Sequence, residues 1–337
     1  MKTVSLSGIF FPAALATVAM LTGCWLLPSD ESDDPGTISG VAYNEFYESY
    51  DEVDLTYDTR VILDISPPID DQDIIVTDSN EVFSVSDVEP GSYSIKPRYS
   101  DDSYTQTFEV LGGVETELDI TFPSSGGLYY YAFNTSLSAP PFDSTDVRNA
   151  LAKALDRMSI LSDAGVTDRD PAYNFVPNAM LDGSWGSNAT EITESVSEAE
   201  TLLEPETAFS FTVLYNEGGS HPAIFSEIKS QLEALDKVDS VNSNSLTWEQ
   251  YVAEFNSGNF QITRVGWTLD SNNMFDYFNQ LVGPGNASNY SNATLTTLLA
   301  DAQSALDGGD IQLFEDKIVE INDHLVEEVP LIPIYFY

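Results

Sequence analysis

Cysteine is almost missing: Cys24 is the only one in 337 residues, so no internal disulfide can form. Cations are scarce too. Twelve Lys and Arg face 55 Asp and Glu, a formal net charge of −43, and so anionic a surface repels phosphate backbones and anionic head groups. That excludes nucleic acid as a partner. Only two histidines occur, His221 and His324, far apart in the chain, and there is no Gly-x-Ser-x-Gly string and no zinc-like spacing. Carboxylates are too numerous for an Asp/Glu pair to stand out. The chain therefore reads as a non-enzyme without cofactor or metal. The apolar run over 9–21 falls short of the roughly 20 residues that a membrane span needs.

What is present begins with an export signal. Lys2 supplies a positive start, residues 9–21 an apolar stretch, and Thr22 and Gly23 the small residues before a cut. Leu21-Thr22-Gly23-Cys24 resembles the lipobox of bacterial lipoproteins. That resemblance implies a leader over 1–23, acylation of Cys24, and a lipid-bilayer anchor in the cell envelope facing the periplasm or exterior. Trp25 in place of an aspartate favours the outer membrane in a Gram-negative cell. Residues 24–36, with Pro-Ser-Asp-Glu-Ser-Asp-Asp-Pro-Gly over 28–36, read as an acidic tether. With 42% hydrophobic and 12% aromatic residues, the remaining chain can bury real cores, in two domains by its length.

Residues 37–122 have a β pattern. Short β-branched and aromatic runs at 82–85, 93–95, 105–110 and 116–120 are separated by turn clusters such as Asp78-Ser79-Asn80 and Glu89-Pro90-Gly91-Ser92. Regular spacing of short strands predicts a small all-β sandwich. The strings Thr37-Ile38-Ser39-Gly40-Val41-Ala42, 77–83 and Val88-Glu89-Pro90-Gly91-Ser92-Tyr93 resemble carboxypeptidase regulatory-like domains, which implies a spacer or adhesion module. Glu81 stands where that family often has glycine. Asp70, Asp71, Asp73, Asp78 and Asn80 match no defined calcium loop and read as solvated turn residues.

Residues 123–127 (Pro-Ser-Ser-Gly-Gly) form a linker, beyond which, over 128–337, the periodicity becomes mixed α/β. Helical spacing runs over 144–157, from Pro222 through Leu235, and over 247–255, 273–281, 294–306 and 310–327. Residues 209–215, 260–267 and 331–337 read as strands. His324 falls on a helix among acidic neighbours, as on a solvated face.

Tyr129-Tyr130-Tyr131-Ala132-Phe133-Asn134-Thr135, Pro140-Pro141-Phe142-Asp143 and the run over 146–157 resemble oligopeptide and dipeptide solute-binding proteins where their chain enters the second lobe. The resemblance continues in order through Phe175-Val176-Pro177-Asn178, Leu214-Tyr215-Asn216 with His221, and Trp248-Glu249-Gln250-Tyr251. It then passes through Arg264-Val265-Gly266-Trp267-Thr268-Leu269-Asp270, Asn289-Tyr290-Ser291-Asn292 and 329–337. It implies a lobe of the periplasmic peptide-binding type that grips an extended peptide for an ABC permease. By that resemblance Asp270 holds the peptide's α-amino group and Trp267 and Trp248 line side-chain pockets. Arg264 and His221, with Asn216 nearby, lie toward the other terminus, where a cation or donor meets a carboxylate.

Each residue has a plainer reading. Trp267 could be core, Asp270 a helix cap, Arg264 a salt-bridge partner, and Ser220 with His221 a capping pair before Pro222. Family members run to about twice this length, so the resemblance covers one lobe only. Two functions follow: a peptide-binding lipoprotein, acting alone, as a homodimer or with a partner lobe, or a degenerate lobe serving as an envelope scaffold.

Overall fold

The computed structural model describes residues 34–44, 60–69, 72–78, 82–98, 102–122, 127–177, 189–268 and 274–337. Cys24 and the leader, Asp70, Asp71 and Asn80, residues 123–126 of the linker, and Asp270 lie outside them.

Among the described residues of the N-terminal part, the regular elements are seven strands and one short 3-10 turn. Strands β1 (Gly36–Asn44), β4 (Val82–Val88) and β7 (Glu115–Phe122) form a sheet ordered β4-β1-β7, with β1 parallel to β7. Strands β2 (Arg60–Ile69), β3 (Gln72–Asp78), β5 (Gly91–Pro97) and β6 (Gln106–Val110) form a second, ordered β3-β2-β5-β6. Ile38, Ile120, Val61, Leu63 and Ile95, from both sheets, are buried in one cluster. Asp73 and Asp78 lie in β3, not in a turn, because β3 pairs with β2 along Arg60↔Asp78 to Asp64↔Ile74.

Near its start, strand β2 carries an apolar run that does not alternate, Val61-Ile62-Leu63, because both of its faces are covered there. Side chains on a strand point alternately to opposite faces: Val61, Leu63 and Ile65 enter the β cluster, and Ile62 enters a cluster of the following lobe. Ile74 and Val76 pack there too. Arg98 joins the two parts, its Nε donating to Glu315 Oε1 at 2.7 Å and its Nη1 to Asp64 Oδ1 at 2.6 Å.

The lobe is a six-stranded mixed sheet between two layers of helices. In chain order its elements are β8 (Gly127–Phe133), α1 (Thr145–Lys153), α2 (Arg157–Asp163), β9 (Asp170–Pro171), α3 (Val196–Leu203) and β10 (Phe209–Asn216). There follow α4 (His221–Leu232), β11 (Val238–Leu246), α5 (Trp248–Ser257) and β12 (Ile262–Thr268). Last come α6 (Met274–Val282), α7 (Ala293–Asp307), α8 (Ile311–Glu328) and β13 (Leu331–Phe336). The sheet order is β11-β10-β12-β8-β13-β9. Central β8 is buried at every position: Tyr129, Tyr131 and Phe133 pack beneath α1 to α4, and Leu128, Tyr130 and Ala132 beneath α6 to α8.

Three local features differ from the expectation. The helix read over 144–157 is two helices, because Asp156 accepts from Ser159 N and caps a new start while buried Arg157 turns inward to Pro333 O at 2.8 Å. Helix α3, only eight residues long, and strand β11, with three apolar residues in nine, do not announce themselves; β11 is an edge strand held by its parallel register on β10. His324 is half-buried rather than on a solvated face, its Nε2 3.1 Å from Tyr290 Oη.

Candidate functional site

Strands β10, β11 and β12 run parallel, and in open α/β sheets ligands bind beyond the carboxyl ends of such strands. Here Asn216 closes β10, and Arg264, the third residue of β12 and on the same face as buried Ile262, reaches over to that end of β10. The antiparallel neighbours β8 and β13 bring Tyr129 and Tyr335 to the same end, in the register Gly266↔Tyr129 and Tyr335↔Tyr129.

Arg264 is the centre of this group. Its guanidinium carbon stands 4.8 Å from the centroid of the Tyr129 ring, and its Nη1 donates to Asn216 Oδ1 at 3.1 Å. Its backbone oxygen accepts from Tyr251 Oη. Nε is buried without a hydrogen-bond partner, and no carboxylate among the described residues pairs with the side chain. By contrast Arg98, Arg148, Lys153, Arg157, Lys229 and Lys317 each have a carboxylate partner. Burial works to lower the Arg264 pKa, but the phenols of Tyr129 and Tyr337 outweigh it and the net shift is upward. The group stays a cation at any physiological pH.

His221 opens α4. Its ring lies 5.5 Å from that of Tyr129 at 25°, with Nδ1 3.1 Å from Tyr129 Oη. Burial, and then the Arg264 charge, bring its pKa down to about 4. The imidazole is therefore neutral at pH 7 and can accept a hydrogen bond from Tyr129 Oη. The Tyr129 phenol is itself pushed up to about 12, by burial above all. Ser220 makes no side-chain cap bond, so the capping reading of this pair does not hold for Ser220, and His221 faces the tyrosines.

Aromatic rings complete the surround. Tyr335 stacks on Tyr129 with centroids 4.6 Å apart at 12°, and Tyr337 meets Tyr335 edge-on at 5.3 Å. A Cβ at Gly266 would fall on Tyr337 Oη and lie 3.0 Å from Arg264 Nη2, so glycine is what lets that phenol approach β12. Trp248 is 61% exposed at the start of α5 and stacks on Tyr251 at 5.6 Å, which links it to Arg264 through the Tyr251 hydroxyl. Trp267 lies in β12, its side chain outside what the structure describes.

Of the expected residues, then, His221 and Arg264 converge on Tyr129, Asn216 joins through its bond to Arg264, and Trp248 stacks on Tyr251. Tyr129, Tyr251, Tyr335 and Tyr337 are additional, and the signal that could have found all but Tyr251 is the clustering of tyrosines at 129–131 and 335–337. A planar guanidinium with unengaged donors, backed by a neutral imidazole and phenols, is suited to a carboxylate. No group of three or more metal-ligating side chains occurs among the described residues. None of the described helices is long and apolar enough to cross a membrane.

The lobe is similar in sequence and fold to known solute-binding proteins. Oligopeptide-binding protein OppA of Bacillus subtilis is 29% identical over 248 residues, 67% of this chain and 44% of that protein. Periplasmic murein peptide-binding protein MppA of Escherichia coli is 28% identical over 225 residues, 64% of this chain and 41% of its own. Its solved structure superposes with a TM-score of 0.54, covering 63% of this chain and 43% of that one. Haemophilus influenzae OppA, solved in complex with RPPGFSPFR, shares the fold with a TM-score of 0.55 at 22% identity, over 64% of this chain and 43% of that one. The chain thus spans less than half the length of these relatives. The model of the bacterial extracellular solute-binding proteins, family 5 middle region, matches residues 84–289, more than half of the sequence. This chain belongs to the bacterial extracellular solute-binding proteins of family 5.

Proposed function

We propose that the lobe binds extended peptides and that Arg264 receives their α-carboxylate, assisted by His221, Asn216 and Tyr129. One observation carries this reading: in a chain with 55 carboxylates, the arginine on β12 that meets the carboxyl end of β10 has none of the described ones as its partner. Arg264 is half-buried with its Nε unpaired, and a partly desolvated cation without a counter-ion is costly unless a ligand supplies one. Exposed Trp248 offers a side chain of the peptide an aromatic wall, as does Trp267 in this reading, and Asp270 takes the α-amino group. The relatives named as peptide-binding proteins support the substrate class. Delivery to an ABC permease, anchoring through acylated Cys24 in the envelope, and a carboxypeptidase regulatory-like β-sandwich over 37–122 acting as spacer belong to the same proposal.

The experiment is a tryptophan-fluorescence titration of the protein with mixed short peptides. Saturable quenching that is lost in Arg264→Ala supports the reading; no change at about 1 mM peptide, an affinity already worth only about 4 kcal/mol, overturns it. A second reading is that the lobe is a degenerate scaffold, or that it acts with a second copy or a partner lobe. Native mass spectrometry separates these, since co-purified peptide or a dimer appears directly in the spectrum.

A further inference from the structure

We propose that the cavity between α6 and α7, apart from the Arg264 cluster, is a second ligand site that takes a short uncharged saccharide. Its volume is about 580 Å³, within the roughly 300–1,000 Å³ of small-molecule sites. The 283–292 connection closes one side of it, and it shares no lining residue with the Arg264 cluster.

Its chemistry is unlike the rest of the molecule. None of its 16 lining residues is charged, although 20% of the chain is. Two other cavities each carry a glutamate, Glu254 in one and Glu109 in the other. An ionic ligand entering the α6–α7 cavity would give up hydration and meet no counter-charge, which selects a neutral one.

The polar groups divide into two sets. Asn286 is consumed by the wall itself: its Nδ2 donates to the carbonyls of Val282, Gly283 and Tyr290, and its Oδ1 accepts from Ser288 and Tyr290 N. That bonding fixes the shape of the connection. Asn279 on α6, in contrast, has no side-chain hydrogen bond to any described residue. Gln303 on α7 uses only its Nε2, on Asp307 Oδ1 at 3.0 Å, which leaves its carbonyl oxygen open. Amides on two opposing helices present donors and acceptors together, and a sugar hydroxyl both donates and accepts. Phe275 and Leu299 add apolar surface for the C–H face of a pyranose ring. A peptide fits less well, because its termini are charged and its backbone seeks a strand edge or groove.

The test is saturation-transfer NMR on the whole protein with maltose, cellobiose and N,N′-diacetylchitobiose as probes at about 5 mM, a concentration that populates even millimolar sites. Ala300→Trp places an indole in the cavity from an exposed position of α7. At least one probe should receive saturation from the wild type, lose it in Ala300→Trp, and keep it in Arg264→Ala. Should Ala300→Trp fail to fold, the double variant Asn279→Ala/Gln303→Ala should weaken binding about tenfold. The proposal is overturned if no probe receives saturation, if the signal survives both the filled cavity and the amide deletions, or if Arg264→Ala abolishes it. Peptide titration of the same variants reads the Arg264 site separately.

Discussion

At the scale of single residues the chain is governed by its shortage of cations. Arginine donors to a carboxylate are worth about 1.5–3 kcal/mol, so Arg264→Ala should weaken peptide binding about ten- to a hundredfold in calorimetric titration while the melting temperature changes little. His221 supplies a pH dependence. Its folded pKa, about 4, lies below the ordinary 6.5 because burial and the Arg264 charge oppose protonation. Above pH 6.5 both folded and unfolded forms are neutral and no penalty exists; as pH falls from 6.5 to 4 the unfolded chain takes up the proton first and stability declines. Thermal melts over that range should therefore fall more steeply for the wild type than for His221→Gln. The residue types at 221 and 264 were legible in the sequence. Their meeting on Tyr129 was not, since Tyr129 is 92 residues from His221 and comes beside Arg264 only through the pairing of β8 with β12.

At the scale of elements, what could be read in advance was what local chemistry controls. The helix start at Thr247 is a capping box, with Thr247 accepting from Gln250 N and the Gln250 side chain returning to the Thr247 backbone. Thr247→Ala should cost about 1 kcal/mol in chemical denaturation, and it should also loosen Tyr251, whose hydroxyl bonds the Arg264 backbone. The apolar stripe of α4, with Ile224, Ile228 and Leu232 all buried, likewise appears where its spacing placed it. The α1–α2 break and strand β11 escaped for complementary reasons. Helical periodicity continued across Asp156 although a cap restarts the helix there, and β11 is mostly polar, formed because β10 offers it a parallel register over 209–216.

At the scale of the whole molecule, the strand-rich N-terminal part and the lobe share a core through Ile62, which is fully buried in the cluster that also holds Leu128 and Phe314. Ile62→Ala should destabilise the protein by about 2–5 kcal/mol, and urea unfolding followed by both far-UV circular dichroism and tryptophan fluorescence should remain a single transition. Two separated transitions would mean that the parts melt independently. A net charge of −43 sets a further expectation. Salt screens self-repulsion over about 10 Å at 0.1 M, so the melting temperature should rise as sodium chloride is added. The sequence by itself determined the acidity, the absence of disulfides, most of the helices and the order of strings shared with peptide-binding proteins. These are properties of composition and of residues a few positions apart. Only the tertiary structure decided that Ile62 turns into the lobe, that Arg264 has tyrosines and an amide rather than a described carboxylate for company, and that an uncharged cavity opens between α6 and α7. Each depends on sheet register and on packing between segments far apart in the chain, which short-range spacing does not encode.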